Sequence, residues 1–352
     1  MKKTFIIFIA ALAFASTVFS DQPKIKICAI YPLTGSLAFV GNELRDGITL
    51  AKEEMGSSCS NVNVIFEDNA YNLKQTVTAA QKLLNEDKAD MLFTLWDGAD
   101  VVAPITDNLK IPHISIRWNP DVAAKHKFTF TFESTYKSFA RDQYEMLVKL
   151  GVKSIAIFQV EAQGNMLGAE ALKQIAKDDG RIKVLEHVTF NTGTTDFRSL
   201  ILKANKLHPD MVVTYTWPPE TELIIKQLKE IAPNQKHTGY YEVVEDLKVI
   251  ENVPFLSQLG FAEDFGKKFE KRFGYKFKTR GTHSYELIKY ACEVYSKFSD
   301  RKPTGEEVVL EFMKIKDRDT VIGKISVNAT RNIEHPNYVK IAKNGKLEEY
   351  KF

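Results

Sequence analysis

Asp90-Met91-Leu92-Phe93-Thr94-Leu95-Trp96-Asp97-Gly98 opens a stretch that closes on Ile111-Pro112-His113-Ile114-Ser115-Ile116-Arg117-Trp118-Asn119-Pro120. Two short apolar runs flank a helical segment over about residues 99–109. This alternation predicts a βαβ unit with parallel strands. In open parallel sheets, ligands sit outside the carboxyl ends of the strands. Those ends carry Trp96, Asp97, Gly98, Arg117, Trp118 and Asn119. The chain has three tryptophans, and the third, Trp217, also follows an apolar run, residues 210–216. A cleft lined by these strand ends is therefore expected, with the rest of the chain as its support.

Working outward, the same alternation extends to both sides. Upstream, strands over 24–31 and 62–67 alternate with helices over 41–55 and 73–85. Together with the central stretch they make the doubly wound pattern. Downstream the pattern restarts: strands over 128–132, 152–159, 184–190 and 210–216, with helices over 138–150, 164–178, 196–207 and 220–231. Residues 235–241 approach one more strand. The last part breaks the alternation. It reads as helices over 263–273, 284–298 and 304–314, then short strands with a hairpin signal at Asn344-Gly345.

A chain of 352 residues, 44% of them hydrophobic, can bury a sizeable core and suggests two domains. The amino terminus reads as a secretory leader: Met1-Lys2-Lys3, then an apolar run over 5–15, too short to span a bilayer. Small Val18 and Ser20 suit the cleavage positions, so cleavage after Ser20 and residues 1–20 as the leader are expected. Losing Lys2 and Lys3 takes the net charge from +3 to +1. That balance gives no basis for nucleic-acid binding or a polybasic membrane arm. Of the three cysteines, Cys28 lies in the first strand and reads as a small buried apolar residue. A Cys28–Cys59 bridge is the alternative, and an odd count permits at most one internal disulfide. No Cys-x-x-Cys or His-Glu-x-x-His spacing occurs, so neither a metal nor another cofactor is expected.

The segment Ile27-Cys28-Ala29-Ile30-Tyr31-Pro32-Leu33-Thr34-Gly35-Ser36-Leu37-Ala38-Phe39-Val40-Gly41, then Gly47-Ile48-Thr49-Leu50-Ala51, resembles the opening of leucine/isoleucine/valine-type periplasmic binding proteins, the solute receptors of ABC importers. Ala103-Pro104-Ile105 with Ile111-Pro112, Thr195-Asp196-Phe197, Pro209-Asp210-Met211-Val212-Val213 and Gly323-Lys324-Ile325 extend the resemblance, in order, over the mature chain. It implies an α/β fold of two doubly wound parallel-sheet lobes joined by a three-stranded hinge, with the ligand between them. Carried over, lobe one is 21–120 plus 249–327 and lobe two is 121–248 plus 328–352, with crossings near Pro120, Leu247 and Asn328. It also implies a periplasmic, monomeric receptor, not an enzyme, that delivers a small molecule to a membrane-embedded ABC permease.

The pocket chemistry departs from the amino-acid binders. Leu95-Trp96-Asp97-Gly98 and Arg117-Trp118-Asn119 stand where those proteins commonly keep small polar residues, and Gln163 stands where an aromatic is common. Glu242 lies near the acid that pairs with a ligand ammonium. Trp96, Trp118 and Trp217 read as an aromatic clamp or, alternatively, as interface packing. Arg117 reads as a fork for a ligand carboxylate or as the partner of Asp97 in a salt bridge. Asp97, Glu161 and Glu242 are candidate partners for an amine, while Tyr241 and Asn119 are hydrogen-bonding neighbours. The expected ligand is a small polar solute with a carboxylate or amide end and a planar, aromatic or cationic part. Two other uses are weighed: an exported hydrolase with Asp97 and Glu242 as acid and base, and a sensor domain feeding a signalling partner. The absence of a Gly-x-Ser-x-Gly elbow and of a Gly-x-Gly-x-x-Gly fingerprint argues against the enzyme.

Overall fold

The computed structural model describes residues 23–352 except 242, 243, 245, 261 and 279. The expected leader lies outside the described residues, and so does Glu242. In chain order the strands are β1 Ile25–Tyr31, β2 Val62–Asp68, β3 Met91–Leu95, β4 His113–Ile116 and β5 Thr129–Phe132. Then come β6 Ser154–Val160, β7 Lys183–Phe190, β8 Met211–Tyr215 and β9 His237–Gly239. β10 Pro254–Ser257, β11 Arg318–Thr320, β12 Gly323–Val327, β13 Asn332–Glu334, β14 Tyr338–Lys343 and β15 Lys346–Glu349 complete the set.

Eight strands form one sheet in the order β11-β12-β13-β5-β4-β3-β1-β2, parallel from β13 through β2. Four form a second, fully parallel sheet, β7-β6-β8-β9. β10, β14 and β15 make a small antiparallel third. Helices cover both faces of the parallel sheets. For that reason β3 and β8 are buried along their whole length and read as unbroken apolar runs rather than alternating ones. Asn344 and Gly345 both have positive φ, as the two-residue hairpin between β14 and β15 requires.

Strand pairing departs from the expected lobe boundaries. β5 had been read as opening the second lobe, but it pairs with β4 and β13 in the eight-stranded sheet. Residues 254–257 fall in the segment expected in the first lobe, with no strand expected there, but they form β10, which pairs with β14 and packs Leu256 into the core of the second lobe. The chain therefore passes between the lobes just after β5, β10 and β13, not near Pro120, Leu247 and Asn328. The physical reason is that a short strand carries no mark of its sheet. Pairing depends on what lies beside it, and sequence pattern reports only the strand itself.

Cys28 is buried and unbridged, as its place in the first strand suggests, and the alternative Cys28–Cys59 bridge is not formed. Cys59 is bridged to Cys292, with a Cα–Cα distance of 5.3 Å. Burial pushes the Cys28 thiol up to about 12. The bridge ties the turn after helix Ala38–Met55 to helix Gly281–Ser296. These two helices pack closely enough that a Cβ on Gly47 would lie 2.2 Å from the Gly281 carbonyl oxygen, so glycine is required there. That approach fixes the first turn of helix Gly281–Ser296 against helix Ala38–Met55.

Candidate functional site

A cavity of about 1170 Å³ opens between the two parallel sheets at the carboxyl ends of their strands. Of the residues expected at a site, Trp96, Asp97, Arg117, Trp118, Asn119, Gln163 and Trp217 all line it. Gly98 does not. It begins helix Gly98–Leu109 and is buried against Thr76 and Thr94. Tyr241 does not line it either. Its hydroxyl pairs with His237 Nδ1 at 2.9 Å and its ring stands against Phe255, inside the second lobe. The preceding residue, Tyr240, takes the cavity position, because successive side chains leaving a strand point to opposite sides.

The aromatic side chains form one chain of contacts across the cleft. Trp96, from the end of β3, meets Trp217, from the end of β8, with ring centroids 5.5 Å apart. Tyr71 lies edge-on to Trp96 at 5.7 Å, and Tyr240 edge-on to Trp217 at 5.1 Å. Trp96 has a φ of 45°, a strained value for a bulky side chain. It is held by bonds from its own N–H to the Ile116 carbonyl and from Ala99 N–H to its carbonyl. The Trp217 indole donates to Asn165 at 3.1 Å. Trp118 lies against the first turn of helix Gln163–Asp179, where a Cβ on Gly164 would come within 2.9 Å of its Nε1. That helix start faces the cavity, has no side-chain cap and carries no acid in its first turn.

Two arginines stand on the cavity wall in different settings. Arg117 Nη1 is 3.0 Å from Asp100 and 3.4 Å from the Trp96 carbonyl, and Nη2 is 3.9 Å from Asp97. Its fork is thus engaged with the acids of its own rim. Tyr71 also donates to Asp97, and burial together with that carboxylate pushes the phenol up.

Arg280, just before helix Gly281–Ser296, is the second. Its Nε donates to Glu133, and one Nη donates to both the Tyr240 hydroxyl and Gln258 Oε1, the latter at 3.1 Å. Its guanidinium lies 6.0 Å from the Trp217 ring and 5.9 Å from the Tyr240 ring. The side chains of Arg280 and Glu133 are only 3% and 2% exposed. The network continues through the crossings. Gln258 donates to the Ser134 carbonyl at 2.9 Å, and Ser134 N–H donates to His335 Nε2 at 3.2 Å. His335 Nε2 is 3.1 Å from His283 Nε2, one turn along the same helix as Arg280. Burial, His335 and the Arg280 cation hold His283 well below the ordinary imidazole range. A neutral His283 donating to His335 fits this geometry.

Sequence reading missed Glu133, Tyr240, Gln258 and Arg280. Glu133 and Tyr240 directly follow the parallel strands β5 and β9, where the strand-end rule that found Trp96 applies, whereas Gln258 follows β10, which pairs antiparallel and to which the sequence assigns no strand. Arg280 precedes a helix, and no pattern in the sequence marks it. Among the described residues, no group of three or more His, Cys, Asp and Glu is placed to hold a metal, and no helix is long and apolar enough to cross a membrane.

Residues 24–340 match the family model described as periplasmic binding protein. The chain belongs to the periplasmic binding protein family. Members with related sequences include Leu/Ile/Val-binding protein homolog 8 of Brucella abortus, 24% identical over 62% of this chain and 58% of that one. The match thus spans less than two thirds of that relative. Leu/Ile/Val-binding protein homolog 7 of Brucella suis is 23% identical over 91% of this chain and 84% of that one. Among solved structures of the same fold, an ABC-transporter solute-binding protein of Rhodopseudomonas palustris in complex with 3,4-dihydroxybenzoic acid superposes with a TM-score of 0.82 at 20% identity, covering 94% of this chain and 96% of that one. The leucine-binding protein LivK of Thermotoga maritima superposes with a TM-score of 0.80 at 19% identity, covering 93% and 98%.

Proposed function

We propose that this periplasmic binding protein is the solute receptor of an ABC importer, capturing a small polar, planar ligand between two closing lobes. The observation that carries the reading is the Trp96–Trp217 contact across the cleft. Aromatic faces contributed by both lobes make ligand stacking and lobe closure one event. Trp96, Trp118, Trp217 and Tyr240 supply stacking faces, and Asn119, Gln163 and Asn165 supply hydrogen bonds. The ligand carries a carboxylate or amide end, in keeping with the benzoic-acid and leucine binders among its structural neighbours.

In this reading lobe one is 24–132 plus 259–334 and lobe two is 135–257 plus 338–352, with hinges between them. The protein is exported with cleavage after Ser20, acts as a monomer, hands its ligand to a membrane permease and does not turn it over. The hydrolase alternative requires Asp97 as a free acid, and its bonds to Tyr71 and Arg117 weigh against that.

The test is mass spectrometry of what copurifies with the native protein, followed by calorimetry and small-angle scattering with the identified compound. Stoichiometric binding, a smaller radius and a change in tryptophan fluorescence are expected. Turnover of the compound, or an unchanged radius at saturation, would overturn the receptor reading.

A further inference from the structure

The start of helix Gln163–Asp179, which faces the cavity, is a pole of unused donors. Met166 is the first residue whose N–H closes back along the chain, to the Ala162 carbonyl at 3.0 Å. The amides of Gln163, Gly164 and Asn165 precede it and meet no acceptor among the described residues. The 17-residue helix adds its dipole to these amides, which favours a negative group at this end.

Two side chains bring donors of their own. Asn165 is only 5% exposed and borders the cavity. An indole can only donate, so the Asn165 atom facing Trp217 Nε1 is its oxygen. The amide nitrogen is left as a buried donor with no partner among the described residues. Trp118, from lobe one, sets its indole nitrogen over the same turn, 2.9 Å from where a Gly164 Cβ would stand. That N–H also has no acceptor among the described residues. The acid among the described lining residues of lobe two, Glu220, accepts from Gly193 N–H at 2.7 Å. At the rim of lobe one, by contrast, a carboxylate meets Asp97 and Asp100, which already hold the Arg117 fork.

We infer that the start of helix Gln163–Asp179 binds the carboxylate of the ligand, with Asn165 as the specificity-determining side chain and the Trp118 indole as the donor from lobe one. A carboxylate only accepts, and its two oxygens have room for several donors at once. Taking donors from both lobes, it ties them together while the attached ring lies among the tryptophans. The inference rests on the planar-ligand reading above and adds the place in the cleft where the charged group lies.

The experiment compares benzoate with benzamide, two probes of nearly equal size that differ in charge, by calorimetry at pH 7.5. The proteins are wild type, Asn165→Asp and Trp118→Phe. Asn165→Asp keeps an oxygen for the Trp217 indole and replaces the free donor with a negative charge. An acid in a first helix turn suits the dipole, so the fold is kept. The ratio of benzoate to benzamide affinity should fall about tenfold or more. Trp118→Phe keeps an aromatic ring on the glycine turn and removes the N–H. Its ratio should fall about threefold or more, because a charge-assisted hydrogen bond is roughly twice as strong as a neutral one.

Repulsion acting from a distance would move the ratio in Asn165→Asp alone, so both variants must move it. A third readout needs no substitution: the indole N–H proton resonance of Trp118 in wild type should move downfield with benzoate and less with benzamide. If wild type binds both probes and the ratio is unmoved in either variant, or that resonance is indifferent to charge, the carboxylate binds elsewhere. The subsite then falls and the planar-ligand reading stands. If wild type binds neither probe at millimolar concentration, that reading falls and the subsite falls with it.

Discussion

Arg117 and Arg280 are both buried on the wall of one cavity, yet they differ in everything around them. The rim partners of Arg117, Asp97 and Asp100, have side chains 42% and 48% exposed. The partner of Arg280, Glu133, is sealed, and the neighbours beyond it belong to the chain crossings. Water and salt screen the first set and not the second. The difference teaches that a residue's type and its place at the site say little about its weight. The exposure of its partner decides.

The sharpest way to break the comparison is to remove each guanidinium alone. Arg280→Leu should destabilise the fold by about 3–5 kcal/mol, because it removes the buried cation whose Nε donates to Glu133 and breaks the bonds to Tyr240 and Gln258. Urea denaturation followed by circular dichroism would measure it. A loss under about 1 kcal/mol would mean that water reaches Glu133 and that the inner end is not sealed.

The inner end also depends on helix Gly281–Ser296, which the Cys59–Cys292 bridge staples to helix Ala38–Met55. The rim is built on β3, β4 and helix Gly98–Leu109, which no disulfide touches. Closing a loop this long should contribute about 2–4 kcal/mol. Cys59→Ala, or reduction of wild type, should lower the denaturation midpoint accordingly. Equal stability with and without reductant would show that helix packing holds the inner end unaided.

Each region also backs onto a buried neutral histidine. His113, at the start of β4, has both ring nitrogens bonded, to Thr94 at 2.8 Å and Thr129 at 3.2 Å, and burial, with the Arg117 cation, pushes it down to about 3. His283, behind Arg280, lies well below its ordinary value, again chiefly through burial. His237, in the second lobe, is lowered to about 4. For all three the folded pKa is below the unfolded value of about 6.5. Between these values the unfolded chain binds protons that the folded chain refuses. Stability is therefore complete above pH 6.5 and falls as the pH drops toward the folded pKa, by about 2 kcal/mol at pH 5 for each of His113 and His237. His283→Phe should flatten the slope of stability between pH 7 and 5, since the depressed imidazole is removed. An unchanged slope would mean that protonation of His283 costs nothing, and that the His283–His335 contact is not what ties the third crossing.

Much of the fold was legible because it is written locally. β3 and β8 are largely apolar runs, and Asn344-Gly345 marks its hairpin unaided. The aromatic ends were legible for the same reason: Trp96, Trp118 and Trp217 each follow closely on a short apolar stretch of their own. What could not be read was anything that depends on partners far apart in sequence. β5 and β10 have four residues each, and their sheets are chosen by neighbours up to 201 and 87 positions away. Cys59 finds Cys292 only once two helices have packed. Tyr240 and Tyr241 exchange roles because a single position decides which side of the strand end each one faces. Arg280 matters only because three segments converge on it.

The smallest effect is expected at Arg117, and it tests the comparison from the other side. Its ion pairs reach half-exposed carboxylates, so Arg117→Ala should cost only about 1 kcal/mol, part of it lost packing of the aliphatic stem. Because Asp100 already holds the fork at 3.0 Å, affinity for the copurified ligand should change by less than about threefold. Calorimetry and urea denaturation on the one variant measure both. Suppose instead that affinity fell tenfold while stability held. Arg117 would then leave Asp100 when ligand arrives and close its fork on a ligand carboxylate, which is the use that its place at the end of β4 first suggested. The rim would then be the anion-binding end of the cavity. If affinity and stability both stay near wild type, Arg117 only braces Trp96 and the rim.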